Sequence, residues 1–174
     1  MRAEILKSER LILRPISLNH LSMTYVNWMN DIEVYRYLET GGNYTLEDLE
    51  KYLSEHEKKD ILFWAIHIKD SQKHIGNIKI DPINQASNTG EYGIMMGDSN
   101  EWGKGYAKEA SVAVIDFCFN KLKLSKITLG VVDANKNAIK LYEKLGFKKE
   151  SIIENFGVYD NKTCNSIRMV KNNG

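Results

Sequence analysis

Two short stretches of this 174-residue chain combine residue types and spacings that suit chemistry. In "EWGKGYAKEA", residues 101–110, Gly103 and Gly105 stand at the threshold of a run with helical periodicity. Glycine costs a helix roughly 1 kcal/mol relative to alanine, so two at its start need a reason. A helix amino terminus presents unpaired backbone N–H groups and about half a positive charge. Glycine lets a phosphate approach those amides without meeting a side chain, and Lys104 adds a cation at the rim. A tight strand-to-helix turn needing positive φ explains the same glycines, and the stretch alone does not choose between the two. It lacks the lysine and Ser/Thr that close a mononucleotide loop and the third glycine of a dinucleotide fingerprint.

The second stretch is "NKNAIKLYEKLGF", residues 135–147. Ala138, Leu141, Tyr142 and Leu145 share one helical face, Asn135 stands at a capping position, and Gly146 closes the helix as a C′ residue. Tyr142 packs an aromatic ring on the core with its hydroxyl at the surface, or it supplies a proton donor; the spacing permits both.

Elements on either side must position these stretches. "RLILRPI" (10–16) alternates apolar and charged residues and predicts an opening strand ended by Pro15. From Leu18 to Glu39 the apolar positions recur at helical spacing, with a break near "NDIE" that predicts two short helices. Thr45 and Asp48 predict a capped helix through about Lys59. "LFWAIHI", "HIGNIKIDPI" and "GEYGIMMG" read as strands separated by turn-rich segments of hairpin length, an antiparallel meander. An amphipathic helix from about Lys104 follows, with Tyr106, Ala107, Ala110, Ala113, Val114 and Phe117 on one face. A strand at 126–133, the helix ending at Leu145, and strands in "FKKESIIE" and "NSIRMVK" complete the chain. One domain over 1–174 is expected, without repeat or linker.

Composition narrows the function classes. The 24 basic and 23 acidic residues nearly cancel and no run of like charge stands out, so nothing nominates nucleic acid as a partner. No apolar run reaches the roughly 18 residues of a membrane span, and "MRAEILKSERLILRP" lacks an apolar signal core; a cytoplasmic protein is expected. Cys118 and Cys164 form no CxxC or Cys/His cluster, so no metal is expected. Cys118 falls on an apolar helix face and reads as a buried hydrophobe. Of the four histidines, only His67, inside an apolar strand, is placed to line a site.

"GEYGIMMGDSNEWGKGYAKEA" and "NKNAIKLYEKLGF" together resemble the two signature segments of the GNAT superfamily of acetyl-CoA-dependent N-acetyltransferases. The opening "SERLILRPISLNHLSMTYVNWMNDIEVYRYL" is similar to the branch containing ribosomal-protein N-terminal acetyltransferases and bacterial amino-sugar acetyltransferases. The resemblance covers nearly the whole chain. It implies an α/β (α+β) GNAT fold: a central mixed, mostly antiparallel sheet with a splayed strand pair and flanking helices. The family loop has Arg or Gln, two residues, Gly, one residue, then Gly or Ala; Gly105 and Ala107 match, while Trp102 stands in the Arg/Gln position. The resemblance therefore assigns pyrophosphate binding to the backbone of Gly103, Lys104, Gly105, Tyr106 and Ala107. It assigns pantetheine pairing to Met95 and Met96, a cofactor contact to Asn135, and protonation of the departing CoA thiolate to Tyr142.

A phenol suits that last task because its ordinary pKa near 10 keeps it protonated at neutral pH while it donates to the leaving sulfur. The amine must also lose a proton, and Glu91, matching a glutamate two residues before a family glycine (here Gly93), is the candidate base, with His67 in reserve. Glu91 reads equally well as a solvated strand-end residue. Trp28, Asp31 and Tyr35 fall where the family frames its acceptor, and they suit sugar stacking or a cationic amine; they read equally as helix core and a wet face. The expected reaction is acetyl transfer from acetyl-CoA to a small primary amine such as an amino-sugar nucleotide. The alternatives are the terminal amine of a ribosomal protein or peptide and, in another class, a CoA-binding module without turnover. A homodimer through the last strands is left open.

Overall fold

The structure, a computed structural model, describes residues 1–174. The opening alternation folds as strand β2 (Leu11–Pro15), preceded by β1 (Leu6–Lys7), which is too short to show a period in sequence. The helical run beyond it resolves into a 3-10 turn (Leu18–His20) and helices α1 (Met23–Asn30) and α2 (Ile32–Tyr35). The expected break has a local cause. Asp31 leaves helical geometry at ψ 115°, and its carboxylate accepts the N–H of Glu33, capping α2. Thr45 and Asp48 form a reciprocal capping box at the start of α3 (Leu46–Glu57).

Strands β3 (Leu62–Ile68), β4 (His74–Asn84) and β5 (Thr89–Met96) follow in succession. Helix α4 (Tyr106–Asp116) begins later than the periodicity predicts, because Gly103 and Gly105 adopt φ of 76° and 85°, outside the helical region. A π-helical turn (Phe117–Lys121) extends it. Then come β6 (Lys126–Val132), α5 (Lys136–Lys144), and the long hairpin β7 (Lys148–Tyr159) and β8 (Lys162–Asn172).

The strands are ordered β1-β2-β3-β4-β5-β6-β8-β7 in a mixed, mostly antiparallel sheet. Only β5 and β6 are paired in parallel, over Thr89↔Lys126, Gly90↔Ile127 and Glu91↔Thr128. That register stops at Glu91, although β5 continues to Met96 and β6 to Val132.

Two compact units divide the chain: Met1–Asp81 with Gly93–Ala113, and Pro82–Tyr92 with Val114–Gly174. In the first, Leu11, Leu13, Leu62, Trp64, Ile66 and Ile78 are fully buried sheet residues. A second cluster joins α1 and α3 to the sheet through Tyr25, Val26, Trp28, Leu49, Leu53 and Phe63. Burial of such side chains, about 1.5–3 kcal/mol each, is the main stabilising contribution. The second unit buries Val114, Cys118, Ile127, Leu129, Ile139, Tyr142 and Phe147 around β6 and α5. Burial pushes the Cys118 thiol up to about 12, as befits a packed hydrophobe. At the sheet edge, β7 exposes Ile152, Ile153, Phe156 and Val158. No helix is long and apolar enough to cross a membrane.

Candidate active site

The first unit carries the glycine loop and the end of β5. Asp98 caps a 3-10 turn (Ser99–Glu101), and the N–H groups of Gly97 and Asp98 both donate to the Ile75 carbonyl, anchoring the exit of β5. Trp102, in the position where the family carries Arg or Gln, directs its indole N–H to the Met96 carbonyl at 2.9 Å. The tryptophan thus fastens the strand end to the loop, and Met96 reaches the loop through its oxygen. A Cβ on Gly103 would meet no atom within 4 Å, so the backbone there is open. Positive φ accounts for both glycines as turn residues, which is the first of the two readings of the sequence to find support in the backbone.

Sequence spacing did not reveal what braces this loop. Arg10 donates Nε to Glu109 at 2.7 Å and Nη1 to the Lys104 carbonyl at 2.9 Å, and its guanidinium lies 4.5 Å from the Tyr106 ring centroid. The Glu109 carboxylate also accepts the Arg10 backbone N–H and the Ser8 hydroxyl. Burial alone would raise the Glu109 pKa, but these hydrogen bonds and the Arg10 charge outweigh it and hold it below the usual range. Lys104 is paired with Glu101 at 2.7 Å, and Glu101 is also bridged to Lys73, which reaches Asp98. The rim cation is therefore part of a charge chain around the loop. Arg10 and Glu109 lie 99 positions apart, a partnership that no local pattern encodes.

The second unit carries Glu91, Asn135 and Tyr142. Asn135 caps α5, its amide oxygen accepting the N–H of Ala138 at 3.3 Å. At the other end of α5, Gly146 at φ 88° donates to the Glu143 carbonyl, and Phe147 donates to the Tyr142 carbonyl. This is the Schellman arrangement, with its usual apolar contact between the residue after the glycine and the one whose carbonyl it takes. Here that contact is Phe147 against Tyr142, ring centroids 6.1 Å apart, and Tyr92 meets the Tyr142 ring edge-on at 5.6 Å. Tyr142 is buried, and burial pushes its phenol up to about 12.

Glu91 is placed differently from a free base. Arg168 donates Nη1 and Nη2 to its two carboxylate oxygens, each at 2.7 Å, and Thr128 donates its hydroxyl at 2.6 Å. Burial raises its pKa, but the Arg168 and Thr128 hydrogen bonds and the Arg168 charge prevail, leaving it below the ordinary carboxylate value.

The residues expected around an acceptor have structural employment. Trp28 is 6% exposed, and a Cβ on Gly97 would fall 2.0 Å from its ring, so the indole is packed against the Gly97 backbone. Asp31 caps α2. Tyr35 backs the loop at Gly41 and Gly42, where a Cβ on Gly41 would fall 2.4 Å from it. That loop, with Tyr44, Asp48, Lys51, Tyr52 and Glu55, lines an open cavity of about 510 Å³.

His67, the reserve base, belongs to a cluster that spacing does not show. His20, His67 and His74 meet with ring centroids 5.1–5.3 Å apart, beside Tyr25 and Trp28. The His74 Nε2 faces the Gly76 carbonyl and Asn77 Oδ1, two acceptors, so that nitrogen carries the proton. Burial, then the neighbouring His20 charge, lowers His67 to about 4; burial likewise lowers His74 to about 4 and depresses His20. No group of His, Cys, Asp and Glu is arranged to hold a metal ion.

The Acetyltransferase (GNAT) domain family model matches residues 10–148. Among curated relatives, an uncharacterized N-acetyltransferase p20 of Bacillus licheniformis is 29% identical over 157 residues, covering 88% of this chain and 87% of its own. A spermidine N(1)-acetyltransferase of Vibrio cholerae is 28% identical over 151 residues, covering 86% of each. Among solved structures, spermidine N-acetyltransferase from Vibrio cholerae in complex with CoA and spermine superposes with a TM-score of 0.85 at 23% identity, covering 95% of this chain and 97% of that one. The chain belongs to the GNAT acetyltransferases, enzymes that move an acetyl group from acetyl-CoA to an amine.

Proposed function

We propose that this chain acetylates a small primary amine by direct transfer from acetyl-CoA, with Tyr142 as the group that receives the developing thiolate. The observation that carries the reading is the burial of the Tyr142 phenol at the capped end of α5, which raises it to about 12. A free thiol ionises near pH 8.5. The phenol therefore stays protonated throughout the working range and acts by donating a hydrogen bond to the sulfur as it leaves.

The backbone of Gly103–Ala107 at the start of α4 fits a pyrophosphate, because the positive-φ glycines carry no side chain of their own there and the Arg10 guanidinium beside Gly105 adds a cation at the loop's edge. Met95 and Met96 at the end of β5 offer backbone to the pantetheine arm, with the Met96 carbonyl shared with Trp102. The amide nitrogen of Asn135 is the part of that side chain left to a cofactor, since its oxygen caps α5. Glu91 is better read as a bound partner of Arg168 than as the base. The amine then sheds its proton to solvent before attack, or meets the thioester as the fraction already neutral.

For the acceptor, the near-neutral charge of the chain supports a small molecule over a basic protein tail, and amino-sugar nucleotides head the panel. A polyamine is the second reading, favoured by the curated spermidine acetyltransferase relative and by the tyrosines and carboxylates around the open cavity. The domain acts as one cytoplasmic catalytic unit in this reading. Release of CoA thiol from acetyl-CoA, across amino-sugar nucleotides, polyamines and Ser- or Ala-initiated peptides, tests it. Acceptor-dependent release supports the transferase, and its class of acceptor decides between the readings.

A further inference from the structure

The parallel pairing of β5 with β6 ends at a defined rung, Glu91↔Thr128, and that rung is held by side chains as well as by backbone. The Glu91 carboxylate takes the hydroxyl of its own register partner, Thr128, on one oxygen. It takes both terminal nitrogens of Arg168 in the fork-to-fork geometry that gives guanidinium–carboxylate pairs their direction. Arg168 belongs to β8, where its register partner on β6 is Gly130. Alternation puts Gly130 on the same face of β6 as Thr128. A Cβ on Gly130 would fall 2.9 Å from Arg168 Nη1 and 3.3 Å from the Ser166 hydroxyl. The missing side chain is what lets the guanidinium lie across β6 and reach β5. One ion pair, with the Thr128 hydroxyl, thus ties three successive strands at the last residue of β5 that pairs with β6.

We infer that Glu91, Arg168 and Thr128, with the space left by Gly130, form a positioning clamp that fixes where β5 leaves β6, and so sets the cofactor-binding backbone of β5. The inference rests on the acetyl-CoA reading of the β5 end. A surface pair of this kind adds little to global stability, since its side chains are 29% and 31% exposed and solvent screens the charges. Its effect is geometric. Without the clamp, the Glu91↔Thr128 rung is held by backbone alone and opens more readily, and the strand beyond it samples positions that a pantetheine arm cannot pair with. Glu91 acts here through β5 and needs no proton transfer to do so.

The test measures CoA binding by titration calorimetry together with kcat and KM for acetyl-CoA, in the wild-type chain and in Glu91→Gln, Arg168→Gln, the double variant and Gly130→Ala. The clamp predicts that each single change weakens CoA about tenfold, or about 1.4 kcal/mol. It predicts that the double variant is no worse than either single one. At saturating acetyl-CoA, kcat should stay within about twofold, and its pH profile should keep its shape in Glu91→Gln. Gly130→Ala changes no charge and yet should follow the same pattern, because its methyl displaces the guanidinium. Thermal melting checks that each variant is folded; a variant that fails to fold leaves the others to decide. Unchanged CoA affinity in folded variants overturns the clamp. Loss of kcat by about a hundredfold or more in Glu91→Gln, with a lost acidic limb, overturns it in favour of a general base. A wild-type chain that does not bind CoA overturns the cofactor reading itself.

Discussion

The backbone carbonyl of Tyr142 accepts the N–H of Phe147 at 2.9 Å, while the two rings pack with centroids 6.1 Å apart. One local motif therefore both ends the helix and seats the phenol. Replacing the hydroxyl alone, in Tyr142→Phe, leaves that motif intact. Turnover should fall by about one to three orders of magnitude, the range of a positioned proton donor, with CoA affinity nearly unchanged. Steady-state thiol release and calorimetry on the same preparation measure the two.

The phenol raised to about 12 also makes a pH prediction. The donor must be protonated to work, and it loses its proton only as pH rises through that raised value. With a rate-limiting chemical step, kcat should show no falling alkaline limb up to about pH 10, the ordinary phenol value. A limb that falls below that pH in the wild-type chain and vanishes in Tyr142→Phe would contradict the burial argument.

Gly146 sits at φ 88° with only the flexible end of Lys171 near the position of a Cβ. Gly146→Ala should thus cost mainly backbone strain, about 1–2 kcal/mol in the left-handed region. Urea unfolding reads the loss as a lower midpoint at unchanged slope. A neutral substitution would show that the Schellman turn does not hold Tyr142.

Gly105→Val should weaken CoA by at least about tenfold, or about 1.4 kcal/mol. Positive φ is hostile to a β-branched residue, and the new side chain stands over the loop amides beside Arg10 Nη2, 3.4 Å from a Cβ at this site. Equilibrium binding of CoA, compared with wild type, is the measurement. Wild-type affinity would rule out the phosphate role of this loop.

Much of this was legible in the residues. The break at "NDIE", Thr45 with Asp48, and Gly146 announce helix ends because capping is local, and the structure keeps all of them, with Asp31 supplying the cap at the break. The boundaries that moved have local causes too: α4 starts at Tyr106, after the positive-φ glycines, and β1 is too short for any period. What spacing could not carry was partnership across the chain. Glu91 reads as a strand-end carboxylate until Arg168 is seen across β6, and Arg10 reads as one more alternating charge until Glu109 and Lys104 are seen beside it. Trp28 looks like a stacking platform in sequence, and Gly97 packed against it shows where the ring goes.

The histidine cluster supplies a stability prediction that is independent of catalysis. His67 and His74 titrate near 6.5 when unfolded and near 4 when folded. Between those values the unfolded chain binds more protons, so stability should fall as pH drops from about 6.5 towards 4 and be fully present above that window. Urea midpoints across that range measure it, and His74→Gln should flatten the slope. Arg14 and Glu57 are the charged groups acting on His20, and Arg14 also acts on His67.

The most direct test of the central claim is acetyl transfer itself, followed as CoA thiol release and as the added acetyl mass on the amine, in wild-type and Tyr142→Phe chains side by side. The account predicts acceptor-dependent transfer by the wild-type chain that drops sharply in the variant while both bind CoA alike. Tight acetyl-CoA binding with no transfer to any amine, or equal transfer by both chains, would contradict it.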